Sequence, residues 1–122
     1  MLSTYVFNIA CELLGKKWRA AILYSLKEGP LRFSEIKTKM PGCSVKMLSE
    51  NLKEMTEKGM LIRKQYEQVP VKVTYEVHPD CRPLVDALKK FYKASSHYIV
   101  KNASLIGVDQ ILLKELKSGV VT

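Results

Sequence analysis

The most constraining stretch of this chain is residues 43–59, CSVKMLSENLKEMTEKG. Ser44 is a good helix start, because its hydroxyl can accept a bond from an unpaired amide of the first turn. Leu48, Leu52 and Met55 recur at helical spacing and form one apolar stripe. Gly59 follows the last turn, where a left-handed stop costs little without a Cβ. Lys46, Ser49, Glu50, Lys53 and Glu57 lie on the other side. The stretch is therefore expected to be an amphipathic helix with one buried and one solvated face.

Its neighbours narrow the possibilities. Residues 4–14 read as a first helix, with Val6, Ile9, Ala10, Leu13 and Leu14 on one face, and Gly15 ends it. Trp18 to Leu26 reads as a second helix, stopped by Gly29-Pro30 because proline cannot continue a helix. Leu31-Arg32-Phe33 is long enough only for an edge strand. Ser34 is expected to cap a third helix of about two turns, with Glu35 near its positive end. Pro41-Gly42 then turns directly into the 43–59 stretch, giving two helices joined by a tight turn.

After Gly59, Leu61–Tyr66 and Val71–Val77 read as two strands, the second alternating with the two-residue period of a half-buried strand. Glu67 to Pro70 forms the loop between them, and Arg63, Lys64 and Lys72 decorate the ribbon. Pro79 starts a long helix whose apolar side carries Leu84, Leu88, Phe91, Tyr92, Tyr98 and Ile99. That helix is expected to run to about residue 103, with Gly107 as its break. Asp109 can cap a last helix bearing Ile111, Leu112, Leu113 and Leu116. The fold expected is mainly α with a small β-hairpin wing (α+β), a single domain over residues 1–122. Within it, a helix-turn-helix spans about 34–58 and the wing about 60–77. The helices at about 4–14 and 80–118 are more apolar than a solvated surface needs, which makes them candidates for a dimer interface. Covering the small core of one monomer is the alternative use for them.

Charge points to the partner. The chain carries a net +8, and residues 16–46 contain eight basic residues against two acids, a local +6. From Glu76 onward, seven basic residues against five acids leave only +2. A positive surplus gathered in one part of a fold suits a polyanion. With 122 residues and 47% apolar content, the core can be real but modest. No apolar run approaches a membrane span and no signal peptide is evident, so a soluble, cytoplasmic protein is expected. Three cysteines, Cys11, Cys43 and Cys81, lie far apart without a CxxC pair, which argues against a disulfide scaffold or a zinc site. No metal or cofactor is expected. Nor is an enzyme: there are two histidines, His78 and His97, and no glycine-rich phosphate loop. Adjacent His78, Asp80 and Cys81 do not make a triad, which is a spatial arrangement.

Helix, turn, helix, then a basic hairpin is the winged-helix order, and several blocks of residues are familiar together. Lys17-Trp18, the GPLRFSE run at 29–35, Ser44 with Leu48 and Leu52, Gly59 with Arg63, and Pro70 with Tyr75 resemble the HxlR family of bacterial and archaeal winged-helix regulators, relatives of the MarR group. Correspondence runs from about Cys11 to Tyr92. The resemblance implies a homodimeric transcription factor on a roughly palindromic operator of double-stranded DNA, by default a repressor. It also implies an unidentified effector, either a small molecule or a redox agent. This chain departs from the family in three places. Tyr5 stands near the usual sensor cysteine, Glu50 and Asn51 stand where Gln and Arg are frequent, and His78 and Cys81 replace Thr and Gly after the wing.

On duplex DNA, a recognition helix sends its N-terminal side chains to base edges. Lys46, Ser49, Glu50 and Lys53 are the base-edge or near-phosphate candidates there, and Ser44 is a further DNA-binding candidate. Lys17, Arg32 and Ser34, at helix starts, are candidates for phosphates. Lys72 is a candidate for the neighbouring minor groove or its phosphates. Arg63 either touches the DNA backbone or pairs with an acid of the protein. The candidate dimer contacts are Val6, Ile9, Leu13, Leu88, Phe91, Tyr92, Tyr98, Ile99, Leu112 and Leu116. A winged helix that binds protein or RNA is the rival reading.

Overall fold

The computed structural model describes residues 2–109 and Lys114. Helix α1 spans Leu2–Leu14, α2 Arg19–Ser25, strand β1 Leu31–Arg32, α3 Phe33–Thr38 and α4 Val45–Glu57. Strands β2, Leu61–Tyr66, and β3, Lys72–Val77, form the hairpin. A 3₁₀ turn at Pro79–Cys81 leads into α5, Arg82–Lys101, and a short α6, Ala103–Ile106. The chain divides into two compact units, the first ending at Asp86 and the second beginning at Ala87.

In the first unit, the core is built from one face of each short helix. Ile22, Leu23 and Leu26 of α2, Ile36 of α3, and Leu48, Leu52 and Met55 of α4 are buried, with Met40, Cys43, Met60, Leu61, Cys81 and Val85. Each large side chain so buried contributes about 1.5–3 kcal/mol relative to leaving it exposed. The three strands form one antiparallel sheet in the order β1-β3-β2. Leu31 pairs with Tyr75, and the hairpin runs from Leu61 opposite Val77 to Tyr66 opposite Lys72. The two-residue strand β1 is thus the edge strand that its length allows.

Helix α4 has the expected ends. Ser44 Oγ accepts from Met47 N at 3.1 Å. At the other end, Gly59 adopts φ +73°, Gly59 N donates to Thr56 O at 3.1 Å and Met60 N to Met55 O at 2.9 Å. These two bonds complete the glycine stop and satisfy carbonyls that the helix leaves unpaired.

Other boundaries differ from expectation. Ser34 does not cap α3: the helix begins at Phe33, and Arg32 holds the capping position. Glu35 sets this start, because its Oε1 accepts from Arg32 N at 2.8 Å. Phe33 consequently belongs to the helix rather than the strand. Gly107, at φ +70°, ends the short α6 and not the long helix. The long helix stops at Lys101, and Asn102, with φ −122° and ψ 25°, starts the next one. In the second unit, Leu88 and Ala103 are buried, whereas Phe91, Tyr98, Leu105 and Ile106 are exposed. The expected last helix, with Ile111, Leu112, Leu113 and Leu116, lies outside the described residues.

Candidate nucleic-acid interface

Burial divides α4 by face. Leu48, Asn51, Leu52 and Met55 point into the first unit, and Lys46, Ser49, Glu50 and Lys53 are exposed. Asn51 is only 9% exposed, and its Nδ2 donates to Met47 O at 2.8 Å. Of the neighbours Glu50 and Asn51, then, only Glu50 faces outward. Ser44 is exposed and its oxygen is engaged in the cap, which leaves its hydroxyl hydrogen available to an acceptor. Two apolar residues missing from the sequence reading join this surface: Val45 is 62% and Met47 40% exposed. They precede and interrupt the stripe that Leu48, Leu52 and Met55 define, and that offset was the available signal.

Beside α4, the turn between α1 and α2 contributes Lys17, which is exposed. Its Nζ stands 5.1 Å from the centre of the Trp18 ring, a geometry that holds a cation against an aromatic face. Gly15, Lys16, Lys17 and Trp18 line a hollow of about 420 Å3 together with Met47, Glu50, Asn51 and Glu54. Lys17 and the polar face of α4 therefore border one concave surface. Arg32 and Ser34 are exposed at the start of α3.

Not all of the basic segment is available to a partner. Arg19 is buried, and its guanidinium lies 2.5 Å from Glu54 Oε2. Lys16 Nζ lies 3.5 Å from the same oxygen. These cations, Arg19 first, hold the Glu54 carboxyl below the usual carboxylate range. The sequence reading counted both among the positive surplus and missed their pairing. Its signal was Arg19 itself, which shares a helical face with Ile22, Leu23 and Leu26.

On the wing, Lys64 Nζ bonds Glu76 Oε1 at 2.7 Å, and this contact raises the lysine above its ordinary value. Arg63 is exposed, opposite Tyr75 in the ladder, and forms no ion pair among the described residues. Lys72 is half-buried, with Nζ 5.1 Å from the centre of the facing Tyr66 ring. The tip is apolar and open, with Val69 99% exposed ahead of a cis Val69–Pro70 bond. At the wing's far end, His78 Nδ1 accepts from Asp80 N at 3.1 Å, so this pair closes the 3₁₀ turn.

The candidate dimer residues fall into three groups. Val6, Ile9, Phe91 and Tyr98 are exposed, Leu13, Tyr92 and Ile99 are half-buried, and Leu88 is buried within the single chain. Leu112 and Leu116 lie outside the described residues. Among the described residues, no helix is long and apolar enough to cross a membrane, and no group of His, Cys, Asp or Glu is placed to hold a metal.

Comparison with known proteins bears on the family and the fold. Residues 13–103 match the family model described as HxlR-like helix-turn-helix. An uncharacterized HTH-type transcriptional regulator of Bacillus subtilis (strain 168), YkvN, is 34% identical over 110 residues, covering 86% of this chain and 93% of that protein. The structure of diamide-treated YodB from B. subtilis superposes with a TM-score of 0.63 at 33% identity, covering 75% of this chain and 90% of that one. A crystal structure described as a MarR-family transcriptional regulator from Enterococcus faecalis V583 gives a TM-score of 0.71 at 25% identity, covering 83% and 92%.

Proposed function

Because the chain belongs to the HxlR-like helix-turn-helix family, we propose that it is a cytoplasmic, non-catalytic transcriptional regulator that binds double-stranded DNA as a homodimer. The observation that carries this reading is α4. It is capped at both ends, seated on the core by Leu48, Leu52 and Met55, and left with Lys46, Ser49, Glu50 and Lys53 in solvent. Such a helix fits the major groove with its first turns at the base edges. Lys46 and Ser49 meet guanine or phosphate acceptors, and Glu50 accepts from a cytosine amino group. Val45 and Met47 offer apolar contact to thymine methyls. Lys17, Arg32 and Ser34 touch phosphates on either side and fix the register. Arg63 contacts the flanking backbone, and Lys72 reaches the neighbouring minor groove or its edge.

The homodimer reading is supported by apolar surface that one chain leaves uncovered. Val6 and Ile9 on α1, and Phe91 and Tyr98 on α5, are exposed large side chains of the kind that subunit interfaces remove from water. Two copies of α4 related by a two-fold axis then address a roughly palindromic operator, and blocking polymerase makes repression the default outcome. An effector, small molecule or oxidant, acts by changing the separation of the two helices.

A titration of the purified protein on duplexes selected from random sequence, with single-stranded RNA as competitor, tests the reading. Binding should weaken by about 10³–10⁵-fold between 50 and 200 mM salt if the dimer makes roughly 6–10 phosphate contacts. Lys46→Ala should cost about 1–3 kcal/mol on the selected sequence. Lys72→Ala should weaken all duplexes alike and lower the salt slope by about 1. Competition by RNA as effective as that by duplex would favour an RNA-binding module instead.

A further inference from the structure

Among the described residues, Arg19 is the one charged side chain that is buried, with 4% of the side chain exposed. A guanidinium out of water must be paired and hydrogen-bonded or it destabilises the fold. Its partners lie on two different elements. Nη1 donates to Leu13 O at 3.1 Å, and Nη2 donates to Glu54 Oε2 at 2.5 Å. Leu13 O is one of the carbonyls that the C-terminal turn of α1 leaves without a helical partner. Glu54 stands on α4 one turn beyond Glu50 and next to Lys53. Lys16, in the turn between α1 and α2, reaches the same carboxylate at 3.5 Å. That turn has little slack, since a Cβ at Gly15 would lie 2.9 Å from Cys11 O.

We infer that Arg19 is a positioning residue for DNA recognition: it ties the end of α1 to the outer flank of α4, so that a displacement of α1 is passed to the recognition helix. The inference rests on α4 being the helix that enters the groove. It gives the apolar α1 a physical route to α4 through one side chain. Arginine suits the task because its planar fork can bond a carbonyl and a carboxylate at once, whereas a lysine offers a single ammonium. The depressed carboxyl of Glu54 is consistent with a charged link at neutral pH.

The test compares R19M and E54Q with wild type. Methionine fills a similar volume without charge, and replacing a buried charge by an apolar side chain need not destabilise a fold. E54Q keeps an oxygen that can accept from Arg19 but leaves the buried guanidinium without its counter-charge. Denaturant melts of both variants therefore come first, and R19M, which removes that charge, carries the test if E54Q is the less stable. In the free protein, amide exchange should quicken over residues 52–57 and in the last turn of α1 in both variants. On the duplex selected by wild type, each variant should bind roughly 2- to 30-fold more weakly. Affinity for an unrelated duplex and the salt slope should stay as in wild type. The double variant should lose no more than either single one, because both changes break the same link. Operator binding should slow exchange in the last turn of α1 in wild type and not in R19M.

Equal loss on selected and unrelated duplexes, additive losses, or exchange unchanged at both ends of the link would overturn the inference. Should wild type prefer no duplex at all, the DNA reading fails, and the free-protein exchange still decides whether Arg19 couples α1 to α4.

Discussion

Helices α1 and α4 are both 13 residues long, and they present opposite surfaces to solvent. On α4 the apolar stripe is buried within the chain and lysines, a serine and a glutamate face outward. On α1 the apolar side chains themselves are outside: Tyr5, Val6, Phe7 and Ile9 are all exposed. One helix is complete in a single subunit and offers polar groups to a partner with a polar, charged surface. The other is incomplete alone, and burying it requires more apolar surface. Length and helical propensity do not separate these roles. What separates them is whether a helix's greasy face finds the rest of its own chain.

The largest effect is expected at α1. Val6→Glu with Ile9→Glu should leave helix content by circular dichroism unchanged, because neither residue is in the core. Sedimentation should then show single chains, and operator affinity should fall by about 10²–10⁴-fold, since each half-site is now bound independently. On α4 the matching test strikes the buried side. Leu52→Ala should destabilise the fold by about 2–5 kcal/mol in denaturant melts, the cost of lost apolar burial plus a cavity. The corresponding α1 changes should barely move the melt of an isolated subunit.

A smaller effect sharpens the account of α4's start. Ser44→Ala removes the acceptor for Met47 N and should cost about 1 kcal/mol of stability. Smallest at ordinary pH is the titration of Glu54. Its folded-state value is lowered, so its stabilising link is fully present above the usual carboxylate range. That contribution is lost only as pH falls through the depressed value. Protection of the α4 amides, taken against their intrinsic exchange rates, should therefore hold from neutral pH down to the usual carboxylate range and fall below it. In R19M this acid-dependent loss should be much smaller, because the carboxyl has already lost its main partner.

How much could be read from the residues follows the range of the forces involved. Helix α4 was legible because its signals are local: Ser44 bonds an amide three residues away, and Gly59 supplies the left-handed stop in place. The second wing strand was legible from its alternation, and the outward placement of Lys46, Ser49, Glu50 and Lys53 from the apolar stripe opposite them. The start of α3 differs because Arg32 N donates to Glu35 Oε1, which sets the cap two residues ahead of the good capping residue Ser34. Gly107 was assigned to the wrong helix because Asn102 breaks the chain first, with no proline or glycine to announce it. Arg19 was counted as surface charge because its neutralising partner lies 35 residues further on. Only packing brings them together.

If two copies of α4 meet one duplex across a two-fold axis, the bound DNA must carry the same symmetry. Selection of bound fragments from random duplex DNA, followed by reading the half-sites, tests it most directly. The expected product is an inverted repeat whose half-site centres lie about 34–36 Å apart, one helical turn of about 10–10.5 base pairs. Recovery of a single asymmetric site, or of fragments with no shared sequence, would contradict it.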